Sequence, residues 1–366
     1  MTIAEIIQTF ETFAPSSYQE PYDNSGLLTG NKEWICTGAL CTLDATEDVI
    51  KEAKAKNCNL VIAHHPIIFS GLKKITGSNY IEQTIITAIK NDIAIYAVHT
   101  NLDNVVNGVN QKIAEKIGLV NSKILAPKSQ LLCKIFVFVP KTNANEVREA
   151  IFRAGAGEIA NYSECSFNSD GKGTFKGNDS SNPTIGKPNI REEVEEIKIE
   201  AILPAYLQNK VIEFVKLAHP YEEVAYDIMP LNNINQQVGG GLIGELQPEV
   251  SEIEFLNIIK SSFNLKVIKH TKLLGKSIKK VALCGGSGSF LIKNALNAKA
   301  DIYITGDVKY HEFFDAESKI VIADIGHWES EQYTIELLID ILRAKTTTFA
   351  VLKSEVNTNP VEYFVG

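Results

Sequence analysis

Five side chains of the kinds that bind divalent metal ions follow short apolar segments of this 366-residue chain. His64 and His65 directly follow the segment NLVIA, Asp103 lies shortly after the segment DIAIYAV, and His327 lies shortly after KIVIAD. Glu331 comes four residues after His327, so both lie on one face if that segment is helical. A mixture of imidazole and carboxylate donors favours zinc, manganese or iron over calcium.

The donor set suits two ions better than one. Successive residues of a strand project to opposite sides, so His64 and His65 are poorly placed to bind the same ion. We pair His65 with Asp103 at one ion and His64 with His327 at the other, with the Glu331 carboxylate bridging both. A lone imidazole at a strand end is more often a hydrogen-bonded structural residue, but donors at three segment ends favour a metal site. The set leaves coordination positions free, as catalytic sites require.

Apolar segments in the first and last thirds of the chain predict the elements that position these donors. The segments ICTGALCTL, NLVIAHH, DIAIYAVHT, KKVALCGG, ADIYITGD and KIVIADIGH are typical of buried strands. Between them lie amphipathic segments with helical spacing, including ATEDVIKEAKAKN and SEQYTIELLIDILRAK. This alternation predicts an α/β core with a mostly parallel sheet, in which ligands bind at the carboxyl ends of the strands.

The middle of the chain has a different pattern. Residues 128–235 predict the order β-α-β-β-α-β, an inserted α+β ferredoxin-like domain that interrupts a core formed by residues 1–127 and 236–366. Its predicted strands are LLCKIFVFV, NYSECSF, VEEIKIEAIL and EVAYDIM, and its predicted helices are NANEVREAIFRAG and LQNKVIEFVKLA. The glycine-rich segment SDGKGTFKGNDSSNPTIGKPN predicts an irregular loop, and LNNINQQVGGG predicts a linker back into the core.

Composition excludes several classes of function. Hydrophobic residues make up 45% of the chain and charged residues 22%, which is typical of a globular protein with a sizeable core. The net charge of −8 disfavours direct nucleic-acid binding. The first residues lack the pattern of a secretory signal, and no segment predicts a membrane span, so we expect a cytoplasmic protein. The six cysteines form no C-x-x-C pair, which disfavours a zinc ribbon or redox site.

Several motifs resemble those of the Nif-three-like family, dinuclear-metal proteins also named type 2 homologues of GTP cyclohydrolase I. They are DNSGL at 23, HHP at 64, HTNLD at 99, GDVKYH at 306 and GHWESE at 326. The resemblance implies the metal ligands His64, His65, Asp103, His327 and Glu331, and a toroidal homohexamer with its sites facing an internal cavity. The middle region, with GKGTF at 171, NPTIG at 182 and HPYEEVAYD at 219, resembles the insert of longer bacterial members, which is similar to PII and CutA proteins.

Other residues have functional and structural interpretations that the sequence leaves open. His311 could act as a general acid or support a ligand, and His99 is expected to orient Asp103 rather than bind metal. The glycine-rich segment 284–289 could bind an anion through its backbone amides, although a close-packed turn is favoured. For His219 and His270 we favour structural and surface roles over metal binding.

The favoured functional hypothesis is a divalent-metal-dependent hydrolase that acts on a small-molecule substrate through a hydroxide bridging two ions. Purine ring opening of the GTP cyclohydrolase type and phosphoester hydrolysis both fit such a site. The alternatives are a non-catalytic metal-binding scaffold, sensor or metallochaperone, and a regulator that binds a protein partner.

Overall fold

The computed structural model describes residues 1–345 and 349–364, and these form two compact units. The first unit combines residues 1–127 with the chain from residue 236 onwards, and the second spans residues 128–235. Each unit has its own buried apolar core. Segments of the chain that lie far apart in sequence therefore pack together in the first unit.

One sheet of the first unit has the strand order β1-β4-β3-β2-β15. Its strands are β1 (Gly26–Thr29), β2 (Gly38–Asp44), β3 (Leu60–His65), β4 (Ala94–Ala97) and β15 (Ala350–Lys353). The last four run parallel, and β1 is antiparallel to β4. Nearly every side chain of β2, β3 and β4 is buried, because helices cover both faces of a parallel sheet.

The other sheet has the order β11-β14-β13-β12-β10-β5. Its strands are β5 (Val120–Ser129), β10 (Ile234–Ser251), β11 (Lys269–His270), β12 (Ser277–Ser287), β13 (Ile302–Gly306) and β14 (Val321–Asp324). Strands β12, β13 and β14 are parallel, whereas β10 pairs antiparallel with β12 and β11 pairs antiparallel with β14. The six predicted strand segments all form strands, but the core contains two mixed sheets where we expected one mostly parallel sheet.

Strand β10 also corrects the prediction of a linker in LNNINQQVGGG. The strand begins at Ile234 and includes the three consecutive glycines. Glycine lowers intrinsic strand propensity, but the strand continues into residues 242–245, which pair with β12.

The second unit is a four-stranded antiparallel sheet with the order β7-β8-β6-β9 and two helices. Its strands are β6 (Leu132–Pro140), β7 (Phe167–Lys176), β8 (Arg191–Pro204) and β9 (Tyr226–Leu231). The second predicted strand was misplaced, because β7 begins where NYSECSF ends and includes the GKGTF motif. This edge strand is polar and largely exposed, so its sequence lacks the apolar alternation by which strands are recognised.

Eleven α-helices lie in the described part of the chain. They are α1 (Ile3–Phe13), α2 (Glu47–Ala55), α3 (Tyr80–Lys90), α4 (Thr100–Asp103), α5 (Val109–Lys116), α6 (Ala144–Arg153), α7 (Gln208–Ala218), α8 (Glu252–Ser262), α9 (Ile292–Asn297), α10 (His327–Glu331) and α11 (Thr334–Arg343). Side chains that accept a backbone N–H cap several of them, as Thr46 does for α2 and Asn79 for α3. Among the described residues, none of these helices combines the length and apolar character of a membrane span.

Candidate metal centre

The five predicted donors converge at the carboxyl ends of strands in the first unit. His64 and His65 end β3, Asp103 ends the short helix α4, and His327 and Glu331 begin and end α10, which follows β14. Because α10 is helical, His327 Nε2 and Glu331 Oε2 lie 3.2 Å apart on one face.

The five donors form two groups that share Glu331, and His64 and His65 also form a third group with His99. His64 Nε2 lies 3.5 Å from Asp103 Oδ1 and 3.8 Å from Glu331 Oε1. On the other side, Glu331 Oε2 lies 3.0 Å from His65 Nε2 and 3.2 Å from His327 Nε2. This grouping differs from the expected pairing, in which His65 stood with Asp103 and His64 with His327. His64 and His65 were expected to project to opposite sides, but their rings lie 4.9 Å apart and both direct Nε2 toward Glu331.

The three histidines of this centre each direct Nε2 into it, because Nδ1 is held by an acceptor outside. His65 Nδ1 lies 2.8 Å from Asp44 Oδ1, and His327 Nδ1 lies 2.6 Å from Asp307 Oδ2. His64 Nδ1 lies 2.8 Å from the backbone carbonyl of Val98. Such partners set the tautomer and ring orientation of metal-binding histidines.

Two buried atoms at this centre have no hydrogen-bond partner: His64 Nε2 and Asp103 Oδ1. Leaving buried polar atoms unpaired is costly, so they require a partner that accepts lone pairs from both. In addition, His65 Nε2 and His327 Nε2 face each other at 3.3 Å. Two N–H groups or two lone pairs would repel each other here, whereas a cation between two neutral imidazoles would remove the repulsion, so the donors fit divalent metal ions.

The charges at the centre also favour a bound cation. Burial and the neighbouring charge of Glu331 raise the pKa of Asp103 to about 7. Burial alone would raise the pKa of Glu331, but the contacts with His327 and His65, together with the nearby imidazole of His64, hold it well below its usual range. Burial would lower the pKa of His65 and His327, yet their carboxylate partners raise these pKa values to about 10 and about 9. The carboxylates thus stabilise positive charge here, whether protons or a metal supply it.

The glycine-rich turn 284–289 packs directly against Glu331 rather than forming an open anion site. A Cβ at Gly286, whose φ is +61°, would lie 2.4 Å from Glu331 Oε1. The amides of Gly285, Gly286 and Gly288 already donate to the side chains of Asn110, Ser330 and Thr305. The anion-binding interpretation is therefore wrong, and the close-packed turn is what the structure contains.

His99 lies beside the donors, and its partner is a residue that the sequence analysis had not assigned a role. Its Nδ1 lies 2.7 Å from Asp23 Oδ1, and Asp23 also accepts from the Thr100 backbone N–H at 3.0 Å. The His99 ring lies near His64 and His65, with centroids 5.3 Å and 5.4 Å away. Asp23, Asp44 and Asp307 each hold a histidine at this edge, but each is remote in sequence from the histidine it holds, so spacing could not reveal them.

The other predicted residues lie elsewhere. His311 is exposed on the 3₁₀ helix Tyr310–Ala316, where its ring contacts Tyr310 and Phe314, and its role as a general acid or ligand support stays a prediction. His219 caps the end of α7, and its two ring nitrogens are bonded to the Phe138 carbonyl and the Tyr221 N–H. His270 is exposed on β11.

One side of the centre opens to a cleft of about 730 Å³. His65 and His327 line it together with Asp44 and Asp307, whereas His64 and Glu331 are 0% and 3% exposed. The C-terminal segment from Asn359 to Tyr363 forms another wall. The centre is thus closed on its buried side and accessible from the cleft.

Comparisons with known proteins give consistent similarities along the chain. The model of the family described as Duf34/NIF3 (NGG1p interacting factor 3) matches residues 1–360. The protein named GTP cyclohydrolase 1 type 2 homolog in Halalkalibacterium halodurans is 41% identical over 363 residues, covering 98% of each chain. The protein of the same name in Bacillus subtilis is 37% identical over 364 residues, again covering 98% of each. The crystal structure of a Bacillus cereus protein related to NIF3 superposes with a TM-score of 0.87 at 40% identity, covering 100% of this chain and 99% of that one.

Proposed function

This chain belongs to the Duf34/NIF3 family, and from that premise we propose that it is a hydrolase dependent on two divalent metal ions. Family membership confirms the resemblance seen in the sequence motifs. The proposed substrate is a small molecule, with purine ring opening or phosphoester hydrolysis as the reaction. The name of the relatives supports the first of these reactions.

The observation that carries the proposal is the asymmetry of the donor centre. His64, Asp103 and Glu331 form a largely buried group, whereas His65 and His327 line the open cleft. A structural metal site surrounds its ion with protein donors, but a catalytic site keeps a position open to water and substrate. The same openness favours a hydrolase over a scaffold.

Each residue has a separate task in the proposal. His64 and Asp103 would hold one ion, His65 and His327 would hold the other, and Glu331, which lies in both groups, would serve both. When bound, two such ions polarise the scissile bond and supply a nucleophilic hydroxide at neutral pH. Asp44 and Asp307 keep the imidazoles of His65 and His327 aimed at the ions. Zinc, manganese and iron all suit these donors.

Metal analysis of the purified and reconstituted protein tests this proposal. We expect about two ions per chain, and a large loss of bound metal in His64→Ala and Glu331→Ala. His270→Ala, a change at an exposed histidine outside the centre, is the matched control. Turnover of GTP, phosphodiesters and phosphate monoesters should be measured with each metal. Turnover that survives Glu331→Ala would contradict the bridging role, and metal without any turnover would favour the scaffold or metallochaperone.

We also propose a homohexamer and a ferredoxin-like second unit similar to PII and CutA proteins. The antiparallel strand order β7-β8-β6-β9 with two helices supports the second proposal. Light scattering on the metal-loaded protein tests the first, with a mass about six times that of one chain expected.

A further inference from the structure

We propose that the cleft beside the donor centre binds an uncharged, planar heteroaromatic compound, a base or nucleoside, and disfavours nucleoside triphosphates. This inference rests on the proposed hydrolase function and names the class of its substrate. It concerns the cleft walls beyond the metal donors. The walls combine exposed aromatic rings with a surplus of negative charge.

One part of the cleft carries an exposed aromatic side chain that contacts a second aromatic ring. Phe69 lines the cleft and is 51% exposed, and Tyr22 beside it is 63% exposed. Their ring centroids lie 6.2 Å apart, and Phe69 lies 6.4 Å from the ring of His99 at an interplanar angle of 75°. Large aromatic side chains left exposed beside a reactive centre are available to stack on a planar ligand.

A second part of the lining is also apolar, and its tryptophan is held in place by a hydrogen bond. Trp328 directly follows the donor His327, and its indole Nε1 donates to Thr358 Oγ1 at 3.3 Å. Val267 and Ile325 complete this side of the cleft. A ring that stacks here would lie next to the donors on His65 and His327, which suits a heterocycle whose own bond is hydrolysed.

The charge of the lining disfavours a triphosphate. Lys269 is the one lysine or arginine that lines the cleft in the described part of the chain, and it is already paired with the buried carboxylate of Asp324. Three acidic residues, Asp44, Asp307 and Glu329, also line the cleft. Phosphate chains are normally bound by arginine and lysine side chains or by free backbone amides. The phosphates of a bound triphosphate that extend beyond the metal ions would therefore lie near carboxylates, which repel them.

Calorimetric titration of the metal-loaded protein tests the inference with ligands that share a ring and differ in charge. The pairs are guanosine with GTP and adenosine with ATP, added without excess metal. Metal content is measured after each titration, because a triphosphate can remove ions from the protein. We expect at least one nucleoside to bind with a Kd below about 1 mM, and its triphosphate to bind at least about tenfold more weakly.

Two variants test separately the aromatic and the acidic residues of the cleft. Phe69→Ala should weaken nucleoside binding about tenfold, since stacking contributes that order of affinity, while metal content stays unchanged. Phe314→Ala, at a similarly exposed ring outside the cleft, is the control and should change nothing. Glu329→Gln should narrow the preference for the nucleoside over the triphosphate severalfold.

The possible outcomes distinguish a wrong substrate class from a wrong hydrolase function. Triphosphates that bind as tightly as nucleosides, with metal retained, would overturn the substrate class and leave the hydrolase intact. The same holds if neither nucleoside binds while the metal-loaded protein hydrolyses a model phosphodiester. A protein that takes up no metal would overturn the proposed function and this inference together.

Discussion

At the scale of single residues, the hydrogen-bond acceptor at the Nδ1 atom of each histidine organises the donor centre. His64, His65 and His327 have their Nδ1 atoms held by a carbonyl or carboxylate, so their Nε2 atoms point at the centre without further rearrangement. Fixing the rings in the folded chain lowers the entropy that metal binding must overcome.

The first prediction concerns protons. His65 and His327, with pKa values raised to about 10 and about 9, carry protons at pH 7 in the metal-free protein. A metal binds the neutral imidazole, so binding should release roughly two protons per chain, and affinity should rise as pH increases from about 6 to about 9. Calorimetry in two buffers of different ionisation enthalpy measures the release. A proton count of zero at pH 7 would contradict the charge assignment.

The second prediction concerns Gly286. Gly286→Ala should weaken metal binding more than about tenfold and destabilise the fold by about 1–3 kcal/mol, because the added Cβ meets Glu331 Oε1 and the backbone is left-handed. Gly275→Ala is a matched control, since Gly275 has a φ of +72° and open space around its Cα. It should show the backbone cost without loss of metal. Equal metal content in the two variants would refute a packing role for Gly286.

At the scale of elements, the centre depends on short segments beyond strand ends. Helix α10 has only five residues and starts at Gly326, whose φ is +93°. The adjacent carboxylate of Asp324 accepts from the backbone N–H groups of Gly326 at 3.0 Å and Val308 at 3.1 Å. One buried side chain thus holds both the turn that leads into α10 and the turn that carries Asp307.

The C-terminal segment after β15 gives the third prediction. Thr358 Oγ1 donates to Asp44 Oδ2 at 2.6 Å, and Asp44 in turn holds His65. Thr358→Val should therefore weaken metal binding about three- to tenfold without unfolding the protein. Thr358 does not contact the metal site but holds Asp44, which in turn orients His65. Thr358→Ser keeps the hydroxyl and should bind metal like the unmodified protein. Equal affinities of the Val and Ser variants in a chelator competition would count against this role.

At the scale of the whole molecule, the donor centre draws on both sheets of the first unit. His64 and His65 end β3 of one sheet, and α10 follows β14 of the other. The second unit, residues 128–235, has a separate core and contributes none of the five donors. Metal should therefore stabilise the first unit specifically.

This gives the fourth prediction. Removal of metal by a chelator should lower the melting temperature of the first unit by about 5–10 °C, if the metal was present at about a hundred times its Kd. Both tryptophans of the chain, Trp34 and Trp328, lie in this unit, so tryptophan fluorescence reports on it alone. Glu331→Ala, which should not bind metal, is the control and should melt equally with and without chelator. A chelator effect of the same size in that variant would exclude stabilisation through this centre.

Much of the fold and of the candidate site could be predicted from local patterns. The apolar segments located six strands, because a buried parallel strand needs a nearly continuous apolar sequence. The five donors could be named because four of them closely follow those segments and the fifth lies one helical turn beyond His327. The polar edge strand β7 and the glycine-containing strand β10 could not be predicted, since ladder pairing with distant residues outweighs their weak propensity.

By itself, the sequence determined the types of donor and the strand ends that carry them, since both follow from local periodicity. Only the tertiary structure decided which of these side chains lie together, because the grouping of His64 with Asp103 and of His65 with His327 depends on how the two sheets meet. It also decided that Asp44 and Asp307 hold the imidazoles of His65 and His327, and that Thr358 holds Asp44. Contacts between residues hundreds of positions apart cannot be recognised from sequence spacing, so the convergence of these side chains could be predicted and their arrangement could not.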